Sequence, residues 1–330
     1  MRTFGKILLG IGALLLVVTL VSLIPTNFWL VRAYDLVREP VTYLAVILLV
    51  IGLFVGAGYR GWISALFGFT ALINTVCIWP YSTFAATELE FVDGTSDERC
   101  FTAMSANVLM DNPDYAAMIA QIEQVNPDVL LLTETNAKWI EEMKPVTSQY
   151  PYVREHPQED TFGKVFASRI AVIDTDVVER PGEDTPTIYA YLRAADQSII
   201  RFIGLHPRAP LPGQDTEQRD RSILRAADRP DWRITGAIAM GDFNDVPWSE
   251  TTEAFRRKGD WRDPRVGRGT YPTFPSKLLP LGWPLDQIMV TGEVEIASFE
   301  VLPDNGSDHR AIWGRFCVPG PIERVGNGAD

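Results

Sequence analysis

The 330 residues are long enough for one large core with a smaller attached element, since single cores rarely grow far past about 250 residues. The formal net charge of −12 is unevenly spread: residues up to Thr87 hold five Lys or Arg and two acids, whereas those from Glu88 onward hold 25 basic and 40 acidic residues, net −15. Affinity for duplex DNA rests largely on Lys and Arg neutralising phosphates, so a polar part this acidic excludes tight, non-specific DNA binding unless a local patch compensates.

No charge interrupts Ile7 to Ile24, Val41 to Gly58 or Trp62 to Trp79. Each stretch comes close to the ~20 apolar residues that cross a bilayer. The first is too long for a signal peptide, no small-residue cleavage site follows it, and two further apolar stretches come after it. Residues 1–82 therefore read as a membrane anchor of three transmembrane helices. Arg2, Lys6 and the terminal amine precede the first stretch, Arg32 and Arg38 follow it, and Arg60 lies in the turn before the third. This distribution favours a cytoplasmic N-terminus. The chain then reads as a multi-pass protein of the inner or cell membrane whose remaining part is periplasmic or extracellular. Cys77 falls inside the third stretch, whereas Cys100 and Cys317 flank the C-terminal part. An oxidising compartment would let that pair close, and two unrelated buried thiols fit the sequence equally well.

Residues 83–98 form a polar, acidic connector, and Phe101 to Val108 is the first strand-like run after it. A helix is predicted next, with Asp111 or Asn112 as N-cap and Pro113 in the first turn. Ala116, Ile119, Ala120 and Ile122 share one face of it, and Asn126-Pro127 stops it. Val129 to Leu132 is a continuous apolar run, as in strands buried on both faces. Further strand-like runs are Lys164 to Ile173, Thr187 to Arg193, Ile199 to Leu205 and Gly236 to Met240, then Leu285 to Val290, Glu293 to Val301 and Ala311 to Phe316. Helical patterns fit Thr216 to Ala227 and Ser249 to Lys258, and residues 318–330 read as a polar tail. Many strands with few helices between them predict an α/β two-sheet sandwich flanked by helices.

Polar residues recur where the apolar strands end: Asn107, Glu134, His206, Asp242 with Asn244, and Asp308 with His309. Strand ends form the rim where layered α/β folds bind ligands, so carboxylates, amides and imidazoles gathered there fit a metal and a phosphate. Taken singly, each has an ordinary explanation. Glu134 beside Asn136 fits the start of a helix, His206 fits a core histidine, and Gly241 to Asn244 and Asp308-His309 fit turns.

In combination, these residues resemble the motifs of the endonuclease/exonuclease/phosphatase family, in that family's order, over Arg99 to Phe316. They are Ser-Ala-Asn-Val-Leu at Asn107, Leu-Leu-Thr-Glu at Glu134, Ser168-Arg169, Gly-Leu-His-Pro at His206, Gly-Asp-Phe-Asn at Asp242 and Asn244, Leu-Asp-Gln-Ile at Asp286, and Ser-Asp-His at Asp308 and His309. The three apolar stretches before them are similar to those of bacterial membrane-tethered members. The resemblance implies that residues 99–317 form a metal-dependent phosphoesterase domain. By it, Glu134 is the main carboxylate ligand of Mg²⁺ or Mn²⁺, and Asn107 and Asp308 contribute directly or through water. Oxygen donors suit such hard ions, and no Cys or His cluster with zinc spacing competes. His309, oriented by Asp286, and His206 would contact phosphoryl oxygens, Asp242 would activate or orient the attacking water, and Asn244 would hold that water or the phosphate. In such folds the first and last strands lie side by side and antiparallel, which would bring Cys100 near Cys317.

Taken alone, Arg169 reads as a surface or salt-bridge residue more readily than as a substrate contact, as strand arginines more often are. The segment Thr270 to Pro284, with Tyr271, Phe274 and Trp283, reads either as an aromatic lip over the site or as a rigid loop packing its own rings. The expected substrate is a lipid head group, a small phosphoester or a nucleic acid. An endonuclease or exonuclease acting on extracytoplasmic or single-stranded nucleic acid is the alternative, and a non-catalytic membrane adaptor with the same fold is a third.

Overall fold

The apolar stretches near the N-terminus fold as helices because their residues carry no charge to solvate and their backbone groups can pair internally. The computed structural model describes residues 2–55, 58–93, 98–179, 185–228, 233–278 and 282–326. Helix α1 spans Arg2–Val21, the short α2 Trp29–Arg32, α3 Tyr34–Val55 and α4 Arg60–Ile78, which ends in a 3₁₀ turn over Trp79–Tyr81. α1, α3 and α4 are long and apolar enough to cross a membrane. They expose Leu14, Val17, Ile47, Phe54, Leu72 and Val76. Their mutual contact is small-sided: a Cβ on Gly52 would come within 2.3 Å of Ile63 Cγ2, so glycine lets α3 and α4 meet. A buried polar network crosses the three helices. The Tyr34 hydroxyl meets Thr19 Oγ1 at 2.6 Å and accepts from Asn74 Nδ2 at 3.2 Å, while Arg38 binds Asn74 Oδ1 at 3.1 Å and Asp35 at 2.6 Å.

Beyond Tyr81 the chain lies along the outer edge of the first sheet. Phe91 bridges Ile296, and Val92 N–H donates to Ile296 O at 3.0 Å. Then come β1 (Cys100–Asn107), α5 (Tyr115–Val125), β2 (Val129–Thr133), α6 (Ala137–Thr147), β3 (Tyr152–His156), β4 (Lys164–Ser168) and β5 (Val172–Val178). They are followed by β6 (Thr187–Arg193), β7 (Ile199–Leu205), α7 (Glu217–Ala226), β8 (Ile234–Asp242) and α8 (Glu250–Gly259). β9 (Asp286–Gly292), β10 (Glu295–Val301) and β11 (Ile312–Cys317) complete the fold.

Two mixed sheets face one another, ordered β10-β11-β1-β2-β4-β3 and β5-β6-β7-β8-β9. Phe101, Leu131, Phe166, Phe202, Ile238 and Ile288 fill the space between them. α5 and α6 cover the outer face of the first sheet through Met118, Ile122, Trp139 and Met143 against Leu130 and Leu132. α7 and α8 cover the second through Ile223 and Phe255 against Ile203, Ala237 and Ala239. β2 is buried on both faces, as its unbroken apolar run requires.

Several sequence expectations are corrected. The run Lys164 to Ile173 is not one strand, because Arg169 to Ala171 carry the chain from the first sheet into the second, so β4 and β5 belong to different sheets. β3, and α6 with Pro145 inside it, were not signalled by apolar periodicity; β3 is an exposed edge strand. The cap of α5 is Asp114, whose carboxylate accepts from Ala117 N–H, not Asp111 or Asn112. Its buried face is Met118, Gln121 and Ile122, leaving Ala116 and Ala120 exposed.

β1 pairs antiparallel with β11 so that Cys100 stands opposite Cys317, and the two are joined by a disulfide. The crosslink closes a separation of 217 residues. The chain-entropy model sets its ceiling at about 5 kcal/mol, and native crosslinks usually contribute ~2–5 kcal/mol. Replacing both cysteines by serine should lower the urea stability of the sandwich by that amount, read from tryptophan fluorescence; an unchanged midpoint would show that the bond closes no stabilising loop.

Candidate active site

The parallel pairs β1–β2 and β7–β8 deliver four strand ends to one edge of the sandwich. Asn107 pairs with Thr133 across the first, and Leu205 with Gly241 across the second. Asn107 ends β1, Glu134 follows β2, His206 follows β7 and Asp242 ends β8, directly opposite Asp286 at the start of β9. His309 arrives on the loop before β11.

Local backbone conformation aims these groups. Glu134 has φ of 62°, a left-handed setting that costs a non-glycine residue on the order of 1–3 kcal/mol. It persists because both sides are tied. Thr135 N–H donates to Gly163 O at 3.1 Å, and Asn136 caps α6 by accepting from Trp139 N–H at 3.0 Å. Gly241 has φ of 140°, and a Cβ there would lie 2.0 Å from Leu205 O, so only glycine lets β8 pass β7 just before Asp242.

The side chains converge. Asn107 Nδ2 donates to Glu134 Oε1 at 2.8 Å and to Asp242 Oδ2 at 3.1 Å, spanning the two sheets. His206 Nε2 is 3.7 Å from Glu134 Oε1 and 3.6 Å from Asp242 Oδ2. His309 Nε2 lies 3.6 Å from the same Asp242 oxygen, while its Nδ1 is 2.8 Å from Asp286 Oδ2. Asn244 N–H donates to Asp242 Oδ1 at 2.7 Å. Ser307 fixes the remaining loop: its hydroxyl donates to Asn107 O at 2.8 Å and accepts from His309 N–H at 3.1 Å.

Burial dominates the electrostatics. It raises the Glu134 carboxyl and pushes Asp242 up to about 7, although the His309 charge opposes the latter. Burial also holds His206 well below the ordinary histidine range, with the Lys164 and His309 charges acting in the same direction. Burial alone would lower His309, but the Asp242 and Asp286 carboxylates outweigh it and push the imidazole up to about 10. His206 is therefore neutral and His309 charged.

Among the described residues, two sets of potential ligand atoms lie within 4.8 Å of one another: Glu134, His206 and Asp242, and Asp242, Asp286 and His309. The first, rich in carboxylate oxygen, fits a hard divalent cation. Glu134, Asp242 and Asp286 face one imidazolium in a space largely closed to water, an excess of negative charge that such a cation would neutralise. Two expected ligands stand differently. Asn107 turns its amino group to the carboxylates and its Oδ1 to Leu109 N–H at 3.0 Å, so it donates between acids. The Asp308 carboxylate belongs to neither set.

The family model described as Endonuclease/Exonuclease/phosphatase family matches residues 104–309. The chain belongs to the endonuclease/exonuclease/phosphatase family. Three solved structures show the same fold, each covering 66% of this chain. D. rerio TDP2 complexed with a single-strand DNA product has 15% identity, a TM-score of 0.53 and 98% of its own length covered. The endonuclease/exonuclease/phosphatase from Bacteroides vulgatus has 17% identity, a TM-score of 0.53 and 99% coverage. The Bacteroides thetaiotaomicron VPI-5482 mannosyl-6-phosphatase Bt3783 has 16% identity, a TM-score of 0.51 and 99% coverage. No curated protein matches the sequence significantly.

Within this family fold the edge gathers Asn107, Glu134, His206, Asp242, Asp286 and His309, with Asp308 alongside. Ser168-Arg169 is not there. Ser168 pairs with Val129 at the far end of β2, and Arg169 covers the Tyr150 ring while donating to Pro127 O at 2.9 Å. Asn244 is at the edge, where its Nδ2 donates to Pro207 O at 3.0 Å and ties the two loops together. In the Thr270 to Pro284 segment, Phe274 lies 4.7 Å from the His309 ring and stacks on Trp283, whereas Tyr271 packs against Phe299.

Sequence reasoning missed the groups beneath the edge. Arg265, fully buried, grips Asp263 and Gln287, and Gln287 donates to Asp245 O at 2.8 Å, bracing the start of β9. Lys164 is fully buried opposite Thr133, and its ammonium donates to Phe162 O at 3.0 Å. A lysine on an apolar strand was the available signal.

Burial lowers the Lys164 amine from the ordinary 10.5 to about 7, against the raising effect of Asp160 and Glu179. Below pH 7 the folded chain bears the full cost of that charge. Between pH 7 and 10.5 the cost fades as the amine loses its proton in the folded state first. Lys164→Met should therefore raise stability near pH 7 by ~1–3 kcal/mol, with the gain shrinking as pH rises to 10. Thermal melts at several pH values check this, and a gain that grew with pH would contradict it.

Proposed function

We propose that this chain is a divalent-metal-dependent phosphoesterase, anchored by its three N-terminal helices with the catalytic domain on the extracytoplasmic side. The observation that carries the reading is the buried Asp242 carboxylate, placed at once against neutral His206, charged His309 and the Asn107 amide. Mg²⁺ or Mn²⁺, held by Glu134 and Asp242, with Asp308 reached through water, would offset the charge that builds on the phosphoryl oxygens.

The residues divide the remaining work. Asn244 N–H and the Asn107 amide fix the Asp242 carboxylate at the edge, where it can orient the attacking water and accept its proton. Asp286 fixes the His309 ring, so the charged Nε2 points at the same space and can neutralise a phosphoryl oxygen or return a proton to the leaving group. His206, uncharged, donates or accepts one hydrogen bond there. Asn107 keeps Glu134 and Asp242 close despite their charges.

The orientation is supported by the basic residues at the ends of the apolar helices: Arg2, Lys6 and Arg60 lie at one end and Arg32 and Arg38 at the other, which favours the first end as the cytoplasmic one. A nuclease for single strands is the second reading, favoured by the fold shared with D. rerio TDP2, whose structure holds a single-strand DNA product. The acidic surface argues against duplex DNA.

Hydrolysis of bis-(p-nitrophenyl) phosphate by the full-length protein in detergent should require Mg²⁺ or Mn²⁺ and stop with EDTA. Glu134→Gln should cost at least ~10²-fold and His309→Ala ~10²- to 10⁴-fold. His156→Ala, on edge strand β3, should stay near wild type. Full turnover by Glu134→Gln would remove the metal assignment.

A phosphatase reporter at the C-terminus, active only outside the cytoplasm, should show activity in a bacterial host, and a cytoplasm-dependent reporter should be silent. The reverse pattern would overturn the orientation.

A further inference from the structure

Three loops that carry candidate site residues are also the loops on which the N-terminal helices dock. Past His206, Thr216 N–H donates to Asn27 O at 2.9 Å, and Asp215 forms a bridge with Phe28. Past Asp242, Pro247 O accepts from the Tyr81 hydroxyl at 3.1 Å, and the Trp248 indole donates to Asp35 O at 2.9 Å. Just before Asp286, the Trp283 indole donates to Leu36 O. Asn27 to Leu36 joins α1 to α3 and Tyr81 ends the third apolar helix, so every contact falls where a bilayer gives way to its head groups. The site therefore occupies the membrane-side edge of the sandwich, with the Cys100–Cys317 bond at the other end of β1.

A continuous path leads from the helices to the imidazole. Trp283, bound to Leu36, stacks on Phe274, which lies against His309. The following loop is pinned to the His309 loop: Ser276 N–H donates to Asp308 O at 2.7 Å and Ser276 Oγ to Ser307 O at 2.7 Å. Held there in the open are Lys277 and Leu278, the latter 53% exposed. Phe28 and Phe84, at the helix ends, are 53% and 86% exposed. Apolar side chains held out at this level, with a cation among them, match an interface with lipid rather than with water.

We infer that the phosphoester belongs to a membrane amphiphile, whose apolar chain stays in the bilayer while its phosphoester reaches Asp242 and His309 past the Phe274 to Leu278 loop. The inference rests on the hydrolase reading above and adds the substrate class. Water supplies a hydroxyl to phosphorus, the ester P–O bond breaks, and the second water proton ends on the leaving oxygen.

The test uses the full chain in phosphatidylcholine vesicles with Mg²⁺ or Mn²⁺. It compares methyl with hexadecyl p-nitrophenyl phosphate, and methyl with hexadecyl phosphate to cover a monoesterase. The hexadecyl member should be favoured by at least ~10-fold in kcat/KM, because binding of its tail is available only at the membrane. The double change Leu278→Asp and Phe84→Asp should lower the hexadecyl-to-methyl ratio by ~5-fold or more. Equal turnover of the paired substrates by an active protein, or a ratio that the double change leaves alone, would overturn the membrane substrate and leave the hydrolase standing. Silence on all four compounds with either metal would overturn the hydrolase reading, and this inference with it.

Discussion

Glu134 and Asp242 come from opposite sheets and meet in a space largely closed to water, where like charges repel strongly. What holds them together is the Asn107 amide, with one hydrogen on each carboxylate, reinforced by the imidazolium of His309 on the Asp242 side. The separation of the two sheets at this edge, and thus the fit of everything else around it, follows from that pair of hydrogen bonds. The opposite end of β1 has no such conflict and is closed covalently.

The architecture was largely legible because its signals are periodic and local. Unbroken apolar runs mark β2 and the three long helices, and Thr216 and Ser249 mark the starts of α7 and α8. Elements that obey tertiary demands were not legible. β3 carries Tyr152 to His156 on an exposed edge with no alternation to read, and α6 is held by the Asn136 cap and the burial of Trp139 despite Pro145. The break after Ser168 depends on where the second sheet lies, which no local pattern records.

At the site, the polar residues read at strand ends do gather at one edge of the sandwich, whereas their orientation was not legible. Nothing local to Asn107 tells which end of its amide faces the acids; that follows from Leu109 N–H claiming the oxygen. Asn244 is held by a carbonyl 37 residues away in sequence. Ser168-Arg169 matched a motif yet serves the far end of β2, as a brace for the Pro127 and Asp128 carbonyls. Arg265 pairs with Asp263 only two residues away, but that the pair is buried and braces the site depends on Gln287, which β9 supplies.

Arg32 is buried and finds its partners, Glu250 and Thr251, 218 and 219 residues later in the chain. Asp35, three residues on, lies 3.7 Å from the guanidinium, but at ~5–20 residues per second of synthesis its hydrogen-bonded acid, Glu250, follows only after on the order of 10–40 s. Biogenesis is thereby ordered in time. The helices can settle through their own Thr19, Tyr34, Arg38 and Asn74 network before the sandwich exists, and the latch between the two parts closes only when α8 has been made and has found the α2 surface.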